Sequence, residues 1–378
     1  MKLGVFGGTF DPVHKGHLKI AEVAYSQLKL DKLLFVPNNL PPHKPGVCSL
    51  AEQRLEMIKL AIADNPHFDV EEYELWSKKF SYTYRTLSYL NEKYKNPEMF
   101  FISGADNIRT IENWRRPDII FRLAKVVFVS RPGYELDYSF KYSDRAMFLN
   151  CRGLDVSSTR IREKVAAGRS ISKSVPPAVE KYIKENFLYK FDDVKEKLKK
   201  YINPKRYRHS LNVALEAVKL ASIYGVDTEK AYLSGILHDC AKDVDIADQL
   251  ELIENYNEFE LMNDELAFPK IVHALTGAII AKRDFGIEDR EVLSAIRYHT
   301  LGSKQMTPLD KIIFVADIIE PERQYEGVEE LRRIAYENIN KTIIASIDIT
   351  IGYIGEQKAQ KDIIELRKYL KERENELI

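Results

Sequence analysis

Two different patterns of apolar and polar positions divide this chain of 378 residues. In the first half, short apolar runs rich in β-branched and aromatic residues alternate with segments whose apolar residues recur every three to four positions. Such runs are typical of buried strands, and such segments of amphipathic helices. The predicted strands are 3–6, 33–36, 100–103 and 126–130, and the predicted helices are 18–29 and 51–63. This alternation indicates an α/β fold with a mostly parallel sheet and helices on both faces.

After about residue 188 the pattern changes to one helical periodicity after another, with no convincing strand. A charged stretch at 195–199 and the pair Asn203-Pro204 interrupt the chain near this change. We therefore place a boundary within 188–195 and expect two domains, 1–190 and 191–378, of which the second is all-α.

Composition and charge narrow the setting. The chain is 45% apolar and 30% charged with a formal net charge of +0, which gives no electrostatic reason to expect nucleic acid or an anionic membrane as a partner. The cysteines Cys48, Cys151 and Cys240 are scattered and odd in number, which favours reduced thiols over a disulfide framework. With no signal peptide and no long apolar run, we expect a cytoplasmic protein. The sequence leaves open whether the chain forms a homo-oligomer.

The first predicted strand runs directly into the string from Gly7 to His17, GGTFDPVHKGH. Glycines after a strand let the backbone turn sharply and approach a ligand. His14 and His17, three positions apart at the start of the next helix, project from one face. Because a helix N-terminus attracts anions, this segment predicts a site for triphosphate oxygens.

A second segment, 156–162, offers hydroxyl side chains followed by arginines. Ser157 or a neighbouring hydroxyl can cap a helix whose first N–H groups then bind phosphate. Arg160 can hold a phosphate with two parallel hydrogen bonds. Taken alone, the segment is equally compatible with an ordinary capped surface helix.

The two motifs together resemble the nucleotidyltransferase superfamily with the T/H-x-G-H signature, in which an S-S-T-x-I-R motif closes the domain. Further stretches narrow the resemblance, over about residues 1–188, to the bacterial nicotinate mononucleotide adenylyltransferases. These stretches are Val36-Pro37-Asn38-Asn39, Pro41-Pro42-His43-Lys44, Ser81-Tyr82-Thr83, Gly104-Ala105-Asp106-Asn107, Trp114 and Arg131-Pro132-Gly133-Tyr134. The resemblance implies a Rossmann-like domain that transfers the adenylyl group of ATP to nicotinate mononucleotide.

The resemblance also implies residue roles. His14, His17 and Arg160 are the expected catalytic residues and contact the ATP phosphates, with Mg²⁺ accompanying ATP. The expected substrate-binding residues are Gly7, Gly8, Thr9, Phe10, Asp11, Lys44, Thr83, Asp106, Trp114, Arg131, Ser157, Ser158 and Thr159. Trp114 would stack on the pyridine ring, the alternative being a packed core aromatic. A pantetheine phosphate or a cytidylyl transfer is the alternative chemistry, which Trp114 and segment 41–44 disfavour; acid or amide mononucleotide stays open.

The second half contains four histidines in helical-looking segments and two carboxylates in apolar surroundings, namely His209, His238, His273, His299, Asp239 and Asp317. An unpaired carboxylate is costly to bury, and imidazole with carboxylate suits Mn, Fe, Co, Ni or Zn. The adjacent pair His238-Asp239 cannot share one helix face unless both turn to a common centre. A metal site is therefore predicted, with incidental core or surface histidines as the alternative.

The pattern H…HD…H…H…D resembles the all-helical HD-domain metal-dependent phosphohydrolases. The surrounding residues, over about 195–378, resemble the bacterial HD-type symmetrical diadenosine tetraphosphate hydrolases. This resemblance implies metal ligation by His209, His238, Asp239 and Asp317, with His273 and His299 holding a second ion.

The same resemblance implies a pair of divalent metals, iron or manganese in preference to zinc, which generate hydroxide. It also implies diadenosine polyphosphates as substrates. Asp239 would bridge the ions, Asp239 and Asp243 would be catalytic, and Arg323 with Lys242 would hold phosphates. The alternative is a regulatory HD domain that senses nucleotides without turnover, against which the presence of all six expected ligands argues.

Overall fold

The computed structural model describes residues 1–39, 49–76, 82–130, 139–151, 156–256, 259, 265 and 268–375. Within these residues the chain divides into two compact units, Met1–Asp192 and Asp193–Ile378. None of the described helices is both long and apolar enough to pass through a lipid bilayer.

The described residues of the first unit form a sheet of six parallel strands. The strands are β1 Lys2–Gly8, β2 Lys32–Pro37, β3 Phe68–Val70, β4 Glu98–Gly104, β5 Ala124–Val129 and β6 Ala146–Leu149. Their order across the sheet is β3-β2-β1-β4-β5-β6. Successive strands are therefore added on one side of β1 up to β3 and on its other side from β4 onward. In open parallel sheets, ligands bind in the crevice at such a switch point.

Helices accompany these strands. They are α1 Lys15–Leu28, α2 Ala51–Ile62, α3 Thr83–Lys93, α4 Pro117–Leu123, α5 Ser158–Ala166 and α6 Pro177–Glu185. Helices α1 to α4 lie between successive strands from β1 to β5, and α5 and α6 follow β6. The predicted α/β fold is thus confirmed. Two strands went unpredicted, β3 and β6, because runs of three and four residues are too short to show a period.

Alternate residues of the central strands enter two hydrophobic cores on opposite faces of the sheet. Phe6 and Phe35 pack in one core with residues of α1 and α2, such as Ile58. Leu3 and Val5 pack in the other core with residues of α3 and α4. This is the period of two that a pleated strand imposes, and burial on both faces explains why the parallel strands are continuously apolar in sequence.

The described residues of the second unit contain helices and no strand, which confirms the all-α prediction. The helices from its beginning onward are α7 Asp192–Leu198, α8 Pro204–Tyr224, α9 Thr228–Leu237, α10 Ile246–Asn255, α11 His273–Arg283, α12 Arg290–Tyr298, α13 Pro308–Ile319, α14 Val328–Ala335, α15 Ile339–Ile354 and α16 Lys361–Asn375. Helix α13 is central, because Leu309, Ile312 and Phe314 all lie in the core that the surrounding helices share.

A glycine allows α8 and α9 to approach closely. A Cβ atom placed on Gly235 would lie 2.6 Å from the Cα and 2.9 Å from the backbone N of Ala214. Distances this short cannot be relieved by rotating a side chain, since the opposing atoms belong to the backbone. The close packing matters for the site, because α8 carries His209 and His238 directly follows α9.

We expect Gly235→Ala to destabilise the second unit by about 1–3 kcal/mol, the usual cost of overpacking. The matched control is Gly352→Ala in α15, where an added Cβ meets nothing within 4 Å and alanine is the better helix former. Urea unfolding followed by circular dichroism measures the difference. Equal midpoints for the two variants would contradict the close crossing.

Candidate functional sites

A cleft of about 950 Å³ opens at the carboxyl ends of β1, β2 and β4 in the first unit. The predicted site residues that line it are Gly7, Gly8, Thr9, Phe10, Asp11, His14, His17, Thr83, Asp106, Trp114, Ser157, Ser158 and Thr159. The structure therefore brings both sequence motifs and the described parts of the intermediate stretches to one place. Lys44, Arg131 and Ser81, with segments 41–44 and 131–134, lie outside the described residues.

His14 and His17 are locked together at the start of α1. The Nδ1 atom of each ring accepts a hydrogen bond from the backbone N–H of the other residue, at 3.3 Å in both cases. The two rings stack with their centroids 3.6 Å apart. Because Nδ1 accepts, each neutral imidazole carries its proton on Nε2, so both rings can serve as Nε2–H donors. Such donors match phosphate oxygens.

The turn after β1 is packed too tightly for a side chain at Gly8. A Cβ there would lie 2.8 Å from the ring of Phe10. Phe10 has a φ of 52°, in the left-handed region, and its ring meets the His17 ring edge-on with centroids 5.0 Å apart. The aromatic ring thus supports the imidazole, and glycine is required beside it.

Arg54 of α2 stabilises the turn after β1 through hydrogen bonds to its backbone. The sequence analysis did not predict this role. The side chain is buried, and its Nη1 donates to the carbonyl oxygens of Thr9 at 2.9 Å and Asn38 at 2.7 Å. Burial lowers the pKa of the guanidinium, an effect that nearby Asp11 opposes. The available signal was an arginine among the apolar residues that α2 buries, such as Leu55 and Ile58.

The N-terminus of α5 contributes the second motif. Ser157 caps the helix by accepting from the backbone N–H of Arg160 at 3.3 Å, but the Arg160 side chain is exposed and does not line the cleft. Its catalytic role stays a prediction. Arg162 does line the cleft, and its Nη1 donates to the Asp11 carbonyl at 2.8 Å. The final arginine of the S-S-T-x-I-R motif was the signal for it.

In the second unit the six predicted ligands converge, namely His209, His238, Asp239, His273, His299 and Asp317. The helical placement of the histidines was only partly right. His209 and His273 lie in α8 and α11, whereas His238 and His299 lie in the turns that follow α9 and α12. A turn rather than a helix lets the neighbours His238 and Asp239 face a common centre.

Asp239 lies between two pairs of imidazoles. Its Oδ2 is 3.5 Å from Nε2 of His238 and 3.8 Å from Nε2 of His209. Its Oδ1 is 3.2 Å from Nε2 of His273 and 3.6 Å from Nε2 of His299. Burial raises the pKa of this carboxyl, but the imidazoles, His238 first, lower it well below its ordinary value. One carboxylate therefore presents one oxygen to each pair of rings.

Main-chain carbonyls orient three of the four rings. In each case Nδ1 lies within hydrogen-bond distance of the carbonyl oxygen three residues earlier, and the pairs are His238 with Gly235 (2.7 Å), His273 with Lys270 (2.9 Å) and His299 with Ile296 (2.7 Å). A carbonyl acceptor places the proton on Nδ1. Each Nε2 is then a lone-pair donor that faces Asp239.

His209 is oriented by a side chain. Its Nδ1 lies 3.2 Å from Oε1 of Glu320, and its Nε2 lies 2.9 Å from Oδ1 of Asp317. Burial lowers the pKa of His209, but the adjacent carboxylates of Asp317 and Glu320 more than offset this and raise it to about 9. Glu320 was not predicted as a site residue. Its signal was a second acidic residue three positions after Asp317.

The residues fit a divalent metal ion. The Nε2 atoms of His209 and His238 are buried and make no well-aligned hydrogen bond to a described residue, although Asp317 Oδ1 lies 2.9 Å from the first and 3.7 Å from the second. Two groups offer ligand atoms within 4.8 Å of one another, His209 with His238 and Asp317, and His238 with Asp239 and His299. Imidazole nitrogen and carboxylate oxygen together are the donor set that first-row divalent ions take in proteins.

Three cationic side chains contact the ligands from outside. Arg206 Nη1 lies 2.7 Å from Oδ2 of Asp239, and Arg323 Nη2 lies 2.6 Å from Oδ1 of Asp317. Lys242 Nζ lies 3.0 Å from Nε2 of His273. Burial lowers the pKa of Lys242. Arg206 was missed by sequence reasoning, although it stands three residues before His209 and so shares its helix face.

Asp243 is placed differently from the expectation. Its Oδ2 accepts hydrogen bonds from the backbone N–H of Asn203 at 2.8 Å and from Nδ2 of the same residue at 2.7 Å. Asn203 in turn caps α8. The exposed Asp243 carboxylate thus steadies a helix start and does not join the six ligands; a catalytic role for it stays a prediction.

Comparison with known proteins matches both units. The Cytidylyltransferase-like family model matches residues 5–164 and the HD domain model matches residues 206–322. The Mycoplasma genitalium protein named "Probable nicotinate-nucleotide adenylyltransferase/Ap4A hydrolase" is 30% identical over 93% of this chain and 97% of its own length. The Bacillus subtilis nicotinate-nucleotide adenylyltransferase is 39% identical over 50% of this chain and 98% of its own.

A solved structure from Clostridium acetobutylicum, described as a predicted HD superfamily hydrolase involved in NAD metabolism, is 41% identical over 48% of this chain and 97% of that one, with a TM-score of 0.46. The family models define the class, a nucleotidyltransferase-type unit followed by an HD unit. The chain belongs to the two-domain family represented by the Mycoplasma genitalium protein.

We expect Arg54→Met to destabilise the first unit, because it leaves two carbonyl groups unpaired at about 1–3 kcal/mol each. The KM for ATP should rise as the turn after β1 loosens. Lys59→Met is the control, since Lys59 lies on the same helix but is half exposed and pairs with Glu72. Urea midpoints and ATP titrations measure both effects. A variant at position 54 that behaves like the control would contradict the clamp.

Proposed function

We propose that the first unit transfers the adenylyl group of ATP to nicotinate mononucleotide, giving deamido-NAD and pyrophosphate. The supporting observation is that the turn after β1, the paired imidazoles and the N-terminus of α5 line one cleft. The acid form of the mononucleotide follows the names of the Mycoplasma genitalium and Bacillus subtilis relatives. The reaction takes place in the cytoplasm, in keeping with the buried thiols of Cys151 and Cys240.

The cleft supplies position and charge. The mononucleotide phosphate attacks the α-phosphorus of ATP, and pyrophosphate leaves with its electron pair. The Nε2–H groups of His14 and His17 donate to phosphate oxygens as negative charge shifts in the transition state. The exposed N–H groups at the start of α5 receive the triphosphate. Mg²⁺ bound with ATP supplies further neutralising charge.

We further propose that the second unit hydrolyses diadenosine tetraphosphate symmetrically to two molecules of ADP. The supporting observation is that Asp239 presents one oxygen to each of two imidazole pairs, as a carboxylate that bridges two ions would. His209, His238 and Asp317 would hold one ion, and His273 with His299 the other; iron or manganese suits these ligands. When bound, such ions supply a water molecule that loses its proton near neutral pH.

The three surrounding cations suit a polyphosphate substrate. Arg206 and Arg323 pair with the carboxylates of Asp239 and Asp317. With the carboxylates engaged elsewhere, these guanidinium groups and Lys242 are available to bind phosphate oxygens and to offset the charge of the departing ADP.

His17→Ala should lower the kcat of adenylyl transfer about 10²- to 10³-fold, the usual loss when one preorganised donor to developing charge is removed. His67→Ala is the control, because His67 is exposed and stacks on Tyr25 away from the cleft. Chromatography of deamido-NAD formed from ATP and nicotinate mononucleotide measures the rates. Unchanged kcat in the His17 variant would refute the assignment.

For the second unit, protein loaded with Mn²⁺, Fe²⁺ or Co²⁺ should convert diadenosine tetraphosphate to ADP as the sole product. Asp239→Asn should abolish turnover, because an amide offers one neutral oxygen, one NH₂ group and no negative charge between the imidazole pairs. Asp243→Asn, outside the cluster, is the comparison. ATP plus AMP as products would contradict symmetrical cleavage. No turnover with any of the three metals would leave nucleotide sensing as the role of this unit.

A further inference from the structure

The four imidazole rings around Asp239 are oriented in two ways, because the histidines occupy different positions relative to the helix ends. Gly235 and Ile296 lie in the last turns of α9 and α12, where carbonyl oxygens have no helical N–H partner, so the following histidine can use them. His209 is the sixth residue of α8. The carbonyls before it accept from N–H groups of the helix itself, and its Nδ1 therefore needs a side chain.

Glu320 meets this need with a fixed geometry. It directly follows α13, and its side chain is buried, 3% exposed. Its Oε2 accepts from Nδ2 of Asn212 at 3.1 Å and from the backbone N–H of Glu322 at 2.8 Å. Two donors on one oxygen hold the carboxylate in place and leave Oε1 facing His209 at 3.2 Å.

Helix α13 and the residue that follows it therefore supply a carboxylate to each side of the His209 imidazole. Asp317 lies 2.9 Å from Nε2 of His209, on the side of the metal cluster, and Glu320 lies on the Nδ1 side. A carboxylate at Nδ1 keeps a proton there, so that Nε2 would be the nitrogen that binds an ion beside Asp317. The carboxylate carries a full negative charge, whereas a carbonyl oxygen does not. With a carboxylate at Nδ1, Nε2 therefore donates its electron pair to a metal ion more strongly.

We propose that Glu320 is a positioning residue that sets how tightly His209 and Asp317 hold a divalent ion, so that the two halves of the cluster differ in affinity. This inference rests on the proposed metal-dependent function of the second unit. It adds a distinction that the six ligands alone do not make. The rings of His238, His273 and His299 have main-chain carbonyls at Nδ1, joined at His273 by Lys242 Nζ at 3.2 Å, and no carboxylate is among these Nδ1 partners.

The test is a Mn²⁺ titration of the full chain against a chelating dye. Glu320→Gln keeps a carbonyl oxygen within reach of Nδ1–H but removes the charge. We expect it to weaken one of two Mn²⁺ equivalents about 10- to 100-fold, the usual effect of losing such a partner. Glu320→Asp, which restores the charge, should recover part of the affinity. Glu322→Gln is the control, since Glu322 is half exposed and pairs only loosely with Arg208, at 3.7 Å.

A second readout separates positioning from a general loss of structure. In Zn²⁺-loaded protein, the proton NMR signal of the His209 Nδ1–H should move upfield in Glu320→Gln, while the other three imidazole N–H signals stay in place. Equal Mn²⁺ affinity in Glu320→Gln and the wild type, with two equivalents bound by both, would overturn the role of Glu320 alone. A wild-type chain that binds no Mn²⁺ would overturn the proposed hydrolase function and this inference with it.

Discussion

A buried carboxylate surrounded by imidazole rings needs opposite charge, and Asp239 imposes this condition on the helical unit. Its two oxygens face different pairs of histidines, and Arg206 provides a positive charge 2.7 Å from Oδ2. Rings from helices that are distant in sequence must meet at this one side chain. The close crossing at Gly235 and the turns after α9 and α12 are the local features that make the meeting sterically feasible.

The nucleotide cleft is organised differently. Its shape depends mainly on the backbone at the carboxyl ends of the parallel strands. The reversal of strand order beside β1 opens the crevice. Arg54 and Arg162 then hold the turn after β1 through carbonyl oxygens, and reciprocal hydrogen bonds fix His14 against His17. A rigid turn of this kind costs the enzyme little reorganisation when a phosphate binds.

Much of this could be predicted from the sequence, for physical reasons. Strands buried on both faces give continuous apolar runs, and the chemistry-bearing motifs follow them directly, as GGTFDPVHKGH follows β1. Short strands such as β3 were not predicted, since three residues are too few to show an alternation of apolar and polar positions. The roles of Arg54 and Glu320 were not predicted, because their partners lie far away in sequence or on the backbone. A single charged residue in an apolar stretch does not indicate what it binds. Asp243 follows the His-Asp pair closely in sequence, but its carboxylate binds Asn203, the residue that caps α8, so its predicted catalytic role is not tested by this geometry.

The central claim is that one carboxylate separates two metal positions in the helical unit. Anomalous diffraction at the manganese edge, from crystals of the full chain soaked in Mn²⁺, tests it directly. The account predicts two peaks on opposite sides of Asp239, one next to His209, His238 and Asp317 and the other next to His273 and His299. A single peak, or Mn²⁺ bound away from these side chains, would contradict it.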